Sequence, residues 1–481
     1  MTTAVVLGLD VGSTNVKALA ATTEGDELHV ASVATPWVSL PGGRTEMDAA
    51  TLVEVVAGLL ARCVHEIEDE HGPVRVTGIG VSGMAESGVL LDPAGRVAAP
   101  VMAWFDPRGA DEIAATPADF RAEFARRTGL PVTALASISK LLHLRDTGVG
   151  LVGQTWLNVP ELVVHALGGE RVSELSLASR TGLLDQDDAD VWPRALDVLG
   201  VGPDLLPTPV RAGDVCGHAG SSAGLAGRSW DLPAQVSGAA LTVAGHDHLV
   251  AAVAAGAVEA GQLYVSMGTA EALVRVLDSP LSGDARERLA GLGINVLPHV
   301  VRDRSIMLVG TRSGLLLRRV LQLVGVTDHA ARVALDREVL ALPIGGGPAA
   351  ASVEVSGARN DDGVLGVRAS GDGLSPAVFF AVVLEHGTRV CLELLAEMNR
   401  EVPPPDRTLA SGGWTRMECV RRSRSAVLPQ VTYSPRSEDT AYGAALLGAY
   451  AAAGAVEAGP LSAFADGFRP VPTPPDLSPS R

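Results

Sequence analysis

The chain has 481 residues, 47% of them apolar and only 4% aromatic, and carries a net charge of −17. That length and apolar content support two to four domains whose cores rest on Ala, Val and Leu, and they exclude a disordered chain. The acidic balance, with no basic stretch longer than the Arg421, Arg422 and Arg424 cluster, argues against nucleic acid as a partner.

In chain order, Val5 to Leu9 and Val16 to Ala20 read as strands around a tight turn, Asp10-Val11-Gly12-Ser13-Thr14-Asn15. Glu27 to Val33 adds a third strand. Asp48 to Glu70 has helical spacing, with Leu52, Val56, Leu60 and Ile67 on one face and Asp48 able to cap the start. Val74 to Val81 reads as a strand ending at Ser82–Gly88, followed by Val89 to Leu91. Strands alternating with helices in this way indicate an α/β layer structure. Val101 to Asp106 reads as a strand, 108–127, 137–147 and 161–168 as helices, and 200–235 as loops and short strands of the first domain. Leu241 to His248 leads into an Ala-rich helix, 249–258. Strands at Gln262 to Val265 and Ala272 to Leu277 flank Ser266-Met267-Gly268-Thr269-Ala270-Glu271. Helices are expected at Gly314–Val324 and Pro376–Asn399. A strand at Thr408–Ala410 runs into Ser411-Gly412-Gly413-Trp414 and a helix through Arg422. Ser437 to Gly454 reads as a last helix capped at Ser437 or Glu438, and 460–481 as a poorly ordered Pro- and Ser-rich tail.

The cysteines, Cys63, Cys216, Cys391 and Cys419, are far apart and fit neither a zinc pattern nor a disulfide framework. They read as thiols of a reducing cytoplasm. With no signal-peptide pattern and no apolar run of spanning length, a soluble cytoplasmic protein is expected.

Glycine and hydroxyl residues in a tight turn can present backbone N–H groups to phosphate oxygens, although such a turn also serves as an ordinary hairpin. Asp10, at the mouth of its strand, can hold a magnesium ion through water. The turn at 266–271 repeats the strand–turn–strand arrangement half a chain later, which points to an internal duplication with a second α/β domain beginning near 250. The Gly-Gly at 412–413 would let a flat ring lie against bare backbone. Asp247 can cap the Ala-rich helix. No Gly-x-x-x-x-Gly-Lys-Ser/Thr loop is present.

Three features therefore stand in order: Asp-x-Gly-Ser-Thr-x-x-Lys at 10–17, Ser-Met-Gly-Thr-Ala-Glu at 266–271, and Ala-Ser-Gly-Gly at 410–413. Together they resemble the two phosphate motifs and the adenosine motif of the actin-like ATPase superfamily. Gly-His-Asp-His at 245–248 resembles the catalytic aspartate segment of the FGGY carbohydrate kinases, in look nearest the fuculokinase- and xylulokinase-type members. The resemblance implies an α/β fold of two ribonuclease-H-like domains, 1–248 for sugar and phosphate and 249–481 for nucleotide, with an interdomain cleft. It implies ATP and Mg²⁺ as cofactors, Asp247 as general base, and Asp10 beside the metal. Gly12, Ser13, Thr14, Lys17, Ser266, Gly268, Thr269, Gly412 and Gly413 would surround the nucleotide. Glu86, Trp104, Asp106 and Arg108, with Asp247, would contact the substrate. His246 and His248 gain no role from it. The expected partners are a small sugar or polyol and ATP, with no nucleic acid, no membrane, and a homodimer as the assembly it allows. The competing reading is a non-kinase actin-like ATPase, either chaperone-like or filament-forming.

For the substrate, Glu86 and Asp106 are expected to be two hydroxyl-accepting carboxylates, which favours a neutral ketose or polyol that supplies donors. A sugar acid would bring a third negative charge and is disfavoured unless Arg108 turns inward. Ala85 leaves room for something larger than glycerol.

Overall fold

The computed structural model of the protein describes residues 2–220, 224–225, 227–359, 364–370, 372 and 374–468. The opening residues form an antiparallel meander of β1 (Thr3–Val11), β2 (Asn15–Thr22) and β3 (Glu27–Ala34). Helix α1 (Ala49–His71) follows, and Asp48 accepts a hydrogen bond from Thr51 N at its start, as its sequence suggests. Strand β4 (Val74–Gly83) pairs parallel with β1, and β5 (Ala240–His246) pairs parallel with β4. The sheet order is β5-β4-β1-β2-β3. Alternation along β1 sorts its side chains by face. Val5, Leu7, Leu9 and Val11 join the apolar residues of α1 in one core, while Val6 turns to the other face.

Between β4 and β5 the chain makes mostly short pieces. The expected strand over 101–106 is only Val101–Met102, because the Trp104-Phe105-Asp106-Pro107 segment turns sharply: Asp106 N donates to Ala103 O. The helical stretch expected at 108–127 splits into Ala110–Ala114 and Ala118–Thr128, with Pro117 at the break. Helix α2 (Ser137–Asp146) and the one-turn α3 (Leu175–Ala178) approach the end of β4 and β5.

The second half repeats the plan. Strands β6 (Gln262–Met267), β7 (Glu271–Leu277) and β9 (Ser305–Thr311) form an antiparallel meander, with β8 (Asn295–Pro298) added at its edge. Strands β10 (Arg407–Ser411) and β11 (Val431–Tyr433) pair parallel beyond β6. The order is β8-β9-β7-β6-β10-β11, so without β8 the two sheets share one topology. This is the two-unit ribonuclease-H-like architecture that the motif order implies.

Two helices cross between the sheets. Helix α4 (Asp247–Ala255) leaves β5 of the first sheet and contacts β6, β7 and β10 of the second. Helices α5 (Ser313–Leu323), α6 (Pro376–Met398) and α7 (Glu418–Ser425) cover the far face of the second sheet. Helix α8 (Asp439–Ala453) then returns to pack on β1, β4 and β5 of the first. Its close approach requires glycine beneath it: a Cβ at Gly8 would lie 1.9 Å from Ala441 O, and one at Gly80 2.0 Å from Ala444 O. One apolar core thus lies between the sheets and holds both crossing helices. No side chain caps α8. Glu438, expected as a possible cap, gives its carboxylate to Lys17 instead. Of the tail, Leu461–Phe468 is helix α9, ordered by Phe464 and Phe468 against Tyr450 and Tyr442. The expectation for 469–481 lies outside the described residues.

Candidate active site

The two hairpin turns have matching electrostatics. In the first, Thr35 Oγ1 donates to Gly12 O (2.7 Å), Trp37 Nε1 to Ser13 O (2.8 Å) and Thr35 N to Thr14 O (3.0 Å). The carbonyl oxygens are thereby tied back into the protein. The N–H groups of Ser13 and Thr14 donate to no acceptor among the described residues, which leaves a donor-lined edge suited to an anion. In the second turn, Gly268 N closes on Ala270 O (3.1 Å), and the N–H groups of Thr269 and Ala270 are likewise without an acceptor among the described residues. Thr14 and Thr269 are the exposed hydroxyls of the two turns. Ser266 stands on β6, in register with Ser411 of β10.

Asp10, the last residue but one of β1, lies directly across the hairpin from Lys17. Lys17 Nζ lies 3.9 Å from Asp10 Oδ2 and 2.5 Å from Glu438 Oε2, so it joins the first turn to the approach of α8. Burial drives the Asp10 carboxyl up to about 7; Lys17 opposes the shift, while Asp247 and Glu438 add to it. Asp10 Oδ1 is buried with no hydrogen-bond partner. A dry, unpartnered carboxylate oxygen beside a second carboxylate fits a hard divalent cation. Mg²⁺ needs only one or two protein carboxylates and completes its shell with water and phosphate oxygens.

Asp247 is the first residue of α4. Its Oδ1 accepts from His248 N (2.6 Å) and lies 3.2 Å from His246 Nε2. Its charge reaches Asp10 and Glu86 on the first unit and Tyr264 on the second sheet. Burial pushes His246 down to about 3, so its imidazole is neutral.

Glu86 has φ +64°, a conformation uncommon outside glycine, and is buried. Its partner is Arg180, which sequence reasoning missed. Arg180 Nε and Nη2 both donate to Glu86 Oε1, Nε at 2.6 Å. Burial raises the Glu86 pKa and Arg180 offsets part of the rise. Trp104 Nε1 donates to Ser13 Oγ (2.8 Å), which ties the expected sugar segment to the first phosphate turn.

Asp106 and Arg108 correct an expectation. Asp106 Oδ1 accepts from Arg108 N and Nε (both 2.9 Å). Its Oδ2 accepts from Thr45 N (2.7 Å) and Arg108 Nη2 (2.8 Å). A carboxylate offers about four lone-pair sites, and all four are taken, so Asp106 as placed has none for a substrate hydroxyl. Burial raises its pKa, but these donors outweigh it and the net shift is down. Arg108 spends Nη1 on Glu46 (2.8 Å) and does not turn inward. The pair braces the segment behind Trp104. Lys140, fully buried on α2, donates to the carbonyls of Asp106 and Ala134; burial lowers it to about 8. One signal for Lys140 was available, since it is one of only two lysines in the chain.

Gly412 and Gly413 behave differently. Gly412, at φ +99°, lies over β6, where a Cβ would come within 2.6 Å of Met267 O; a Cβ on Gly413 would meet nothing within 4 Å. Gly413 therefore exposes bare backbone to open space beside the second turn. Its helix is a single turn, Gly413–Arg416, before α7. Glu271 at the end of the second turn is buried against Arg424 (Nη2 to Oε2, 2.8 Å) and acts as a structural anchor.

A family model described as the N-terminal domain of the FGGY family of carbohydrate kinases matches residues 5–253, which hold Asp10, both halves of the Glu86–Arg180 pair and Asp247. The chain belongs to the FGGY family of carbohydrate kinases. An L-fuculokinase of Escherichia coli (strain K12) is 29% identical over 276 residues, and the match covers 56% of this chain and 56% of that protein. The chain thus aligns with just over half the length of that relative. A gluconokinase of Bacillus subtilis (strain 168) is 23% identical over 486 residues, covering 93% and 88% of the two chains. Among solved FGGY structures, a xylulose kinase from Rhodospirillum rubrum superposes with a TM-score of 0.76 at 22% identity, covering 93% of this chain and 90% of that one. That likeness establishes the shared actin-like ATPase fold. Among the described residues no helix is long and apolar enough to cross a membrane.

Proposed function

We propose that the protein transfers the γ-phosphoryl group of ATP to one hydroxyl of a small neutral ketose or polyol, with Asp247 as general base. The observation that carries the reading is the Asp247 carboxylate, held by one oxygen in the cleft and within electrostatic reach of Asp10 and Glu86. In this reading the Asp247 carboxylate takes the proton of the attacking hydroxyl. The hydroxyl oxygen bonds to the γ-phosphorus as the bond to the β–γ bridging oxygen breaks, and ADP leaves. Base assistance of this kind is worth about 10²–10⁴-fold, and the rest of the acceleration comes from positioning and charge neutralisation. Bound Mg²⁺, held by Asp10, would supply that charge neutralisation. The free N–H groups of Ser13, Thr14, Thr269 and Ala270 would hold phosphate oxygens, and Gly413 would face the adenine. Glu86, kept as an acceptor by Arg180, would receive a substrate hydroxyl; Trp104 would wall the pocket. We further propose 1–248 as the sugar and phosphate unit and 249–481 as the nucleotide unit, with α8 packed back on the first, and a cytoplasmic location.

A sugar acid is the second reading, for a specific reason. The charge argument against it counted Glu86 and Asp106 as free carboxylates, whereas Arg180 and Arg108 neutralise them. A relative that aligns over most of the chain is a gluconokinase. A coupled ADP-release screen over ketoses, polyols and sugar acids decides between the two. In the same assay Asp247→Asn is expected to lose nearly all turnover while still binding the acceptor. Full activity in that variant would place the base elsewhere.

A further inference from the structure

The chain does not reach the proposed base along a regular ladder. Strand β5 pairs with β4 up to Val243 opposite Val81 and resumes with Gly245 opposite Ser82, so Ala244 is an extra residue, a bulge just before the site. Bulges bend a strand and re-aim the side chains around them. Gly245 then takes φ +108°, and α4 starts at Asp247 with no side chain capping it. Neither an unbroken ladder nor a cap fixes the direction of this exit.

Two serines from different elements grip the peptide unit that joins Gly245 to His246. Ser82 Oγ, at the end of β4, donates to its carbonyl oxygen (2.9 Å), and its N–H donates to Ser176 Oγ on α3 (3.0 Å). Both serines are fully buried. A hydroxyl has one hydrogen to give. Ser176 gives its hydrogen to Glu174 Oε2 (2.5 Å), which also accepts from Leu177 N (3.1 Å). What Ser176 Oγ turns to His246 is therefore a lone pair, matched to the N–H. Glu174 is itself buried and anchored, since its N–H donates to Glu161 Oε1 (2.8 Å). A Cβ at Gly245 would fall 2.7 Å from Ser176 Oγ and 3.0 Å from Glu174 Oε2, so the grip closes only on glycine.

We propose that Ser176, braced by Glu174, is a positioning residue for the reaction: with Ser82 it locks the Gly245–His246 peptide plane, and that plane sets where α4 begins and where the Asp247 carboxylate stands. The inference rests on the reading of Asp247 as the base. Asp247 is the residue after the gripped N–H, so a rotation of this peptide plane passes directly into the position of its Cα. A misplacement of about 1 Å at a reacting group can cost about 10²-fold in rate. Because both serines are fully buried, neither reaches ATP or the acceptor, and their loss acts only through Asp247.

The test compares Ser176→Ala, Ser82→Ala and Asp247→Asn with the parent enzyme, with L-fuculose, D-xylulose, glycerol and D-gluconate as acceptors, together with crystal structures of the parent and both alanine variants. Ser176→Ala takes the acceptor from His246 N–H, and its kcat is expected to fall about ten- to a hundredfold, with the KM values for ATP and acceptor nearly unchanged. Ser82→Ala removes a single hydrogen bond and shows the same pattern with a smaller loss, so it carries the test even if Ser176→Ala does not fold. In both variants the crystal structure shows the Gly245–His246 peptide turned and the Asp247 carboxylate displaced, a readout that needs no turnover. Alanine variants with parental kcat, a loss expressed in KM instead, or an Asp247 carboxylate that stays in place overturns the inference and leaves Asp247 as base intact. Full turnover by Asp247→Asn overturns both.

Discussion

Asp10→Asn should make the protein more stable and inactive at once. The Asp10 carboxyl stands at about 7 in the folded chain against an ordinary 3.8, chiefly because it is buried. A group whose folded pKa is raised binds its proton more tightly in the native state. Between about pH 4 and 7 the native state therefore holds more protons than the unfolded one, and this residue's contribution to stability falls as pH rises. Above pH 7 the full cost of the buried charge is present. The shift is about 3 units, roughly 4 kcal/mol at 1.36 kcal/mol per unit. Asparagine removes that cost but also deprives Lys17 of a carboxylate 3.9 Å away, though Lys17 keeps Glu438. A net gain of about 2–4 kcal/mol at pH 8 follows, shrinking as the pH falls toward 4. Urea unfolding of parent and variant at pH 5 and pH 8, without Mg²⁺ or nucleotide, measures it. A variant less stable than the parent at pH 8, or a difference that does not widen from pH 5 to pH 8, would refute the reasoning. The same carboxylate that destabilises the free protein is the one proposed to hold the metal, so function is bought here with stability.

Two further outcomes are expected. Arg180→Met leaves Glu86 buried without its cation, so its carboxyl moves higher still and it loses acceptor character; acceptor KM rises about tenfold or more while ATP KM holds, as steady-state kinetics on both substrates would reveal. Gly413→Ala places a methyl in open space, so the urea midpoint stays put while ATP KM increases several-fold, by about 1 kcal/mol of lost contact; an unchanged ATP KM would remove Gly413 from the nucleotide pocket.

Much of this fold is legible in the chain because its signals are local. Short apolar runs bounded by turn residues mark β1, β2 and β6, helical spacing marks α1 and α6, and Asp48 caps α1 as its type suggests. The repeat of a hydroxyl–glycine turn exposed the duplication, since two sheets of one topology need the same tight turn at the same place. The strand expected over 101–106 stops at Met102 because Ala103 to Asp106 closes a sharp turn that leaves Phe105 exposed, and an apolar run alone does not tell a turn from a ladder.

The chain by itself determined the class and the two turns, and it put Asp10, Asp247 and Glu86 forward as candidates, because each lies in a short motif whose chemistry is carried by adjacent residues. Only tertiary structure decided the partners. Arg180 lies 94 residues from Glu86, and Glu438 lies 421 residues from Lys17. Asp106 and Arg108 neutralise each other, and Ser82 and Ser176, far apart in sequence, hold the Gly245–His246 peptide unit between them. A charge's meaning in a cleft depends on which opposite charge the fold brings to it. That pairing is set by sheet register and by the crossing of α4 and α8, which no local pattern records.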